Sequence, residues 1–161
     1  MRINFYALRA IYFHEMDRFR RTLIQSLLSP VLSTSLYFIV FGSVIGDYVQ
    51  KIDGISYGSY IVPGLLMLTL LTQSISNTSF GIFFPKFNGT IYEILAAPIS
   101  TVEIVIAYVG AGATKTLIVA AVIFCTSLFF AEVNVKFPLL MIFLLILVAF
   151  TFALFGFLIG L

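Results

Sequence analysis

Four stretches of this chain are long and apolar enough to cross a membrane, and that limits the fold more than any other feature. A hydrocarbon core of about 30 Å takes roughly 20 helical residues. Runs of that length occupy residues 23–45, 60–83, 111–130 and 138–161. In lipid every backbone N–H and C=O needs a protein partner, so only helices and closed barrels cross. Barrel strands alternate apolar and polar residues over about ten positions. The runs here are continuous and read as helices. Charged residues make up only 10% of the chain and hydrophobic ones 61%, whereas soluble domains carry roughly a quarter charged. The reading is an all-α integral membrane protein, with residues 1–161 forming one transmembrane domain.

Charge sets the orientation. Arg2, Arg9, Arg18, Arg20 and Arg21 precede the first span, while the later connections hold only Lys51, Lys86 and Lys136. By the positive-inside rule the N-terminus is cytoplasmic. Residues 46–59 and 131–137 then face outward, and the connection between the second and third spans faces the cytoplasm. Within residues 1–21, Phe5, Leu8, Tyr12, Met16 and Phe19 recur at helical spacing. Such a basic, amphipathic segment suits the membrane interface, with Asp17 and Arg21 spaced as a helical ion pair. It serves either as a plain anchor or also as a contact for a cytoplasmic partner.

The third apolar segment is too long for the bilayer. From Thr101 to Phe130 it has 30 residues, about 45 Å of straight helix. Counting back from Phe130, the membrane part starts near residues 111–113, with a bend at Gly110 and Gly112, and residues 101–110 protrude into the cytoplasm. Lys115 then falls just inside the inner boundary, where its stem snorkels. The alternative is a lysine that faces the bundle and has an ionic role.

Reactive groups are scarce. The lone cysteine, Cys125, lies in an apolar run and reads as buried filler, and the lone histidine, His14, reads as an interfacial side chain. No Ser/His/Asp set, carboxylate pair, phosphate loop or metal-ligand spacing occurs in the sequence, so neither an enzyme nor a metal protein is expected. No nucleic-acid partner is expected either. The spans carry no acid at mid-depth, which weighs against an ion-coupled carrier. The inner half of the second span, "TQSISNTSF", is dense in hydroxyls and amides. Thr69, Gln73 and Ser76 share a face, with Thr72, Ser76 and Ser79 beside it and Asn77 off it. These groups either bond to neighbouring helices or line a polar route or subunit seam. "GSVIG", Gly42–Gly46, permits close helix approach at the outer end of the first span.

Between the second and third spans lies "FPKFNGTIYEILAAPIST". Thr90 and Glu93 have the spacing of a capping box, and so do Ser100 and Glu103. Pro98 ends what lies before it. Residues 88–98 therefore predict a short cytoplasmic helix with fixed ends.

Several stretches together resemble a known family: "HEMDRFRR", "SPVLSTSLYFIVFGSVIG", "SYGSYIVPGLLM", "NGTIYEILAAPISTVEIVIAYVGAG" and "SLFF". The most specific is the Glu93–Pro98 core, and the likeness runs through the whole chain. The chain resembles ABC transporter permeases of type 2, in the YadH-like and polysaccharide-export branch. That resemblance implies a permease subunit of an ATP-driven exporter, paired with a second permease subunit in the bacterial inner membrane. ATP and magnesium are then held by a separate ATP-binding cassette subunit, and this chain needs no cofactor of its own. Carried onto this sequence, the coupling contacts are Glu15, Arg18 and Arg20 on the N-terminal segment. They are joined by Asn88, Thr90, Glu93, Leu95 and Pro98 on the short helix. Family members have six spans, so four imply a chain truncated at its C-terminus. The alternative function is a non-transporting assembly module or an inactive fragment.

Overall fold

The computed structural model describes residues 4–45, 51–52, 55–131 and 135–161. The elements follow in the order α1 Phe5–Arg21, α2 Leu23–Tyr37, α3 Tyr57–Phe87, α4 Ile91–Ala96, α5 Thr101–Phe130 and α6 Pro138–Gly160. Helix α2 continues as π-helical turns over Phe38–Ile45. A two-residue antiparallel ladder, β1 Lys51–Ile52 with β2 Ile55–Ser56, lies between it and α3. Among the described residues the fold is all-α apart from this ladder. Among the described residues four helices have the length and composition to cross a membrane, α2 with its extension, α3, α5 and α6.

Helix α5 is the hub. It packs against α1, α2, α3 and α6, and its buried side includes Ala107, Ala113, Val119 and Ile123. Small residues on it bring the neighbours close. A Cβ on Gly112 would sit 2.0 Å from Thr78 Oγ1 on α3. On α6, a Cβ on Gly156 would sit 2.5 Å from the carbonyl of Ile75, and one on Gly160 would sit 2.7 Å from that of Ser79. So α3 lies between glycines of both neighbours. Gly156–Gly160 is a GxxxG that the sequence reading passed over. Gly46, and with it the Gly42–Gly46 pattern, lies outside the described residues. Large apolar side chains such as Ile24, Phe129 and Leu139 point away from the bundle, as lipid-facing residues do. Cys125 is among the outward-facing residues rather than buried filler.

Two boundaries differ from the sequence expectation. Helix α3 continues through Pro85 to Phe87. Proline removes one N–H and crowds the carbonyl four residues earlier. Here that carbonyl belongs to Gly81, in the last turns of α3, so the helix loses little by continuing. Helix α5 is uninterrupted through Gly110 and Gly112, and Ile104, Tyr108 and Val109 near its start are buried. That segment is not a free protrusion, because α1 lies along it.

Candidate functional site

Helix α1 docks on the first half of α5 through three polar contacts. The backbone N–H of Asn4 donates to Glu103 Oε1 at 2.6 Å. Tyr12 donates to Thr114 Oγ1 at 3.1 Å. Lys115 Nζ donates to Glu15 Oε2 at 2.6 Å. The partners advance together along both helices, so α1 runs beside α5. The sequence pattern had placed Phe5 on the apolar stripe, but Phe5 is exposed while Phe19 and Glu15 are buried. The face turned inward thus contains a carboxylate.

Lys115 supplies the reason. It is 6% exposed and Glu15 is 2% exposed. The lysine does not snorkel to the boundary; it faces the bundle and neutralises Glu15. A buried charge without a partner is costly, and a close opposite charge offsets that cost. Arg18 adds a second cation 3.6 Å from Glu15 Oε1. Its guanidinium also stands 4.7 Å from the centre of the Phe84 ring, at the end of α3. Both ion pairs among the described residues converge on Glu15; Asp17 and Arg21 do not form one.

The turn from α3 to α4 is set by Gly89 at φ +78°, a left-handed conformation that glycine adopts at little cost. Asn88 N–H bonds to Phe84 O and Gly89 N–H to Lys86 O, closing α3. The capping box expected at Thr90 is not formed. Thr90 is itself helical, at φ −64° and ψ −16°, and its side chain caps nothing. An N-cap hydroxyl reaches the N3 amide from an extended backbone, and the glycine turn has already aimed the chain. Helix α4 ends at the extended Ala97, before Pro98. At Ser100 the backbone is extended, and its N–H donates to Glu103 Oε2 at 2.9 Å. Glu103 therefore both opens α5 and holds Asn4 of α1.

The arginine-rich end of the bundle carries a groove of about 500 Å³ between α1, the end of α3, α4 and α5. Glu15 and Arg18 line one side, and Asn88, Thr90 and Glu93 line the other. Arg20, Leu95 and Pro98 lie outside it, all exposed. His14, Phe84 and Tyr108 also line it and were not foreseen. His14 shares a helix face with Arg18, a spacing that the sequence carried. Phe84 and Tyr108 had no such signal, because the fold brings them in from separate helices. Phe87, Tyr92 and Leu95 are 77%, 74% and 63% exposed around this end.

A second cavity, about 180 Å³, is lined by both members of the Glu15–Lys115 pair. Ser76 and Asn77 of the polar half of α3 line it; Thr69 and Gln73 do not. Thr69 donates to its own helix at Leu65 O, 2.9 Å. Asn77 Nδ2 donates to Thr116 Oγ1 of α5 at 3.3 Å.

The chain matches the ABC-2 type transporter family over residues 6–161. It is 38% identical over 160 residues to the inner membrane transport permease YadH of Escherichia coli K12. The YadH permeases of Escherichia coli O157:H7 and Shigella flexneri give the same figure. These alignments cover 99% of this chain and 62% of each relative, so the chain spans under two thirds of their length. No solved structure matches it. Four spanning helices and a short helix between the second and third of them define a multi-pass membrane protein. The chain belongs to the ABC-2 type transporter family. The relatives that it matches are inner membrane transport permeases.

Proposed function

We propose that this chain is a membrane-spanning subunit of an ATP-driven exporter and receives the work of a separate ATP-binding cassette subunit at the α1–α4 groove. A paired permease subunit completes the translocation pathway. The observation that carries the reading is convergence. Glu15 and Arg18 are far in sequence from Asn88, Thr90 and Glu93, yet all five line one groove. Helices α1 and α4 are separated by two spans, which return the chain to the same side, and the arginines make that side cytoplasmic.

The surface there suits a protein partner. Exposed Phe87, Tyr92 and Leu95 lie beside polar Glu93, Asn88 and Thr90. Aromatic and aliphatic anchors ringed by polar groups are the composition of a docking face. Glu93, Arg20, Leu95 and Pro98 are exposed and available for direct contact. Glu15 is buried on Lys115, so it acts by holding α1 in place and presenting Arg18. Displacement of α1 would pass into α5 through Lys115, Thr114 and Glu103, and into α3 through the Arg18–Phe84 contact.

Replacing Glu93 with Lys tests the reading in cells that supply the ATP-binding subunit. Co-purification of that subunit should fall, or its ATP turnover should become independent of the permease. Unchanged binding and unchanged stimulation of ATP turnover would refute the assignment. Neither outcome depends on knowing the exported substrate.

A further inference from the structure

The 180 Å³ cavity shares Glu15 and Arg18 with the groove, and adds hydroxyls of Ser26 and Ser76 that the coupling reading does not use. It opens between the α1–α2 junction, α3 and α5. Arg18 and Lys115 line it with a single carboxylate, Glu15. One positive charge is left over. Lys115 Nζ, with three protons to donate, has one hydrogen bond among the described residues, to Glu15. Ser26 and Ser76 add hydroxyls, and Phe19 and Phe80 close the apolar side. Phe80 is 62% exposed and continues the lipid-facing surface.

Depth decides what can reach it. Arg18 lies just over a turn before the first residue of α2, the first spanning helix. Lys115 lies near the inner boundary of the third spanning helix. The arginine-rich orientation and the place of Lys115 in the first half of α5 put both cations toward the cytoplasmic side of the bundle. The cytoplasmic leaflet is rich in anionic lipids, and basic pockets between spanning helices on this side hold their head groups. A phosphate oxygen accepts from ammonium, guanidinium and hydroxyl alike, and charge-assisted bonds of this kind are the stronger ones.

We infer that this cavity binds the phosphate of a lipid of the cytoplasmic leaflet, held by Arg18 and Lys115 with Ser26 and Ser76, while its acyl chains run past Phe80. Bound there, the lipid lies against α1, α3 and α5 together and props α1 in the position that frames the α1–α4 groove. The inference concerns binding to this chain alone and stands whether or not an ATP-binding subunit docks.

Native mass spectrometry of the purified chain, titrated with phosphatidylglycerol or with diacylglycerol of the same acyl chains, tests it. One tightly retained phosphatidylglycerol is expected, with no equivalent diacylglycerol adduct. Arg18→Gln removes the surplus charge but leaves the Glu15–Lys115 pair whole, so it should fold and retain the lipid roughly tenfold more weakly, a charge-assisted contact having been lost. Arg18→Lys should keep the adduct. If Arg18→Gln does not yield folded protein, the Ser26→Ala/Ser76→Ala variant, which keeps all three charges, must show the loss instead. Equal retention of diacylglycerol, an undiminished adduct in the folded variant, or displacement of the lipid by millimolar inorganic phosphate would overturn the inference.

Discussion

Lys115 and Glu15 are tied together across 100 positions of sequence, and each is tolerable inside the bundle because of the other. Removing one partner of a buried pair costs roughly 3–5 kcal/mol, since a charge is left uncompensated. Glu15 keeps Arg18 if Lys115 is lost, so the decisive single change is Glu15→Gln, which strands Lys115 and should lower the melting temperature sharply. Lys115→Met combined with Glu15→Gln should recover most of the loss, because neither variant side chain carries charge. A double variant as unstable as the single one would mean that the pair is not the source. The hydroxyls of Ser74 and Thr78 are buried and lack a hydrogen-bond partner among the described residues. An unsatisfied buried hydroxyl costs about 1–3 kcal/mol. Ser74→Ala should raise thermal stability, and a fall would show that the hydroxyl has a partner in the membrane. Elsewhere the buried threonines solve this problem locally. Thr34 donates to Pro30 O and Thr116 to Gly112 O, the i−4 bond open to a helical threonine.

At the level of helices, stability rests on close approach. Gly156→Ala should loosen α6 from α3, because its Cβ would meet backbone atoms of Ile75 at 2.5 and 2.8 Å. Gly64→Ala is the matched control, since a Cβ there meets nothing within 4 Å. It should be neutral or stabilise by up to about 1 kcal/mol through helix propensity. Melting curves of the two variants check both expectations. The four spans were legible because length and continuity of apolar sequence leave few alternatives. The finer boundaries were not. Pro85 looks like a stop, but its cost depends on how much helix follows. Thr90 and Ser100 begin the same capping pattern, and only Ser100 has the extended backbone that suits it, since Gly89 turns the chain before Thr90. Three GxxxG patterns were present, Gly42–Gly46, Gly54–Gly58 and Gly156–Gly160, and no local rule says which one meets a partner helix.

Across the whole molecule, the decisive arrangement is α1 laid along α5 with α4 facing it. Sequence periodicity gave α1 an amphipathic form and suggested the membrane surface. It did not give the Glu15–Lys115 contact, because pairing between distant helices leaves no periodic trace. Most of the candidate site was nonetheless legible. Glu15, Arg18, Asn88, Thr90 and Glu93 were singled out by resemblance and then found around one groove. Phe84 and Tyr108 were missed because nothing local distinguishes them from other aromatics in apolar runs. The arrangement gives the bundle one end where exposed Phe87, Tyr92 and Leu95 lie beside polar groups, while its flanks carry outward apolar side chains suited to lipid.

The most direct test places a photo-reactive amino acid at position 93, on α4, and another at position 139, which is 85% exposed on α6. Both chains are irradiated in cells, and the captured protein is identified and assayed for ATP hydrolysis. The account predicts an ATP-binding cassette subunit joined at position 93 and not at position 139. Capture of that subunit equally from both positions, or from neither while the two are shown to assemble, would contradict it.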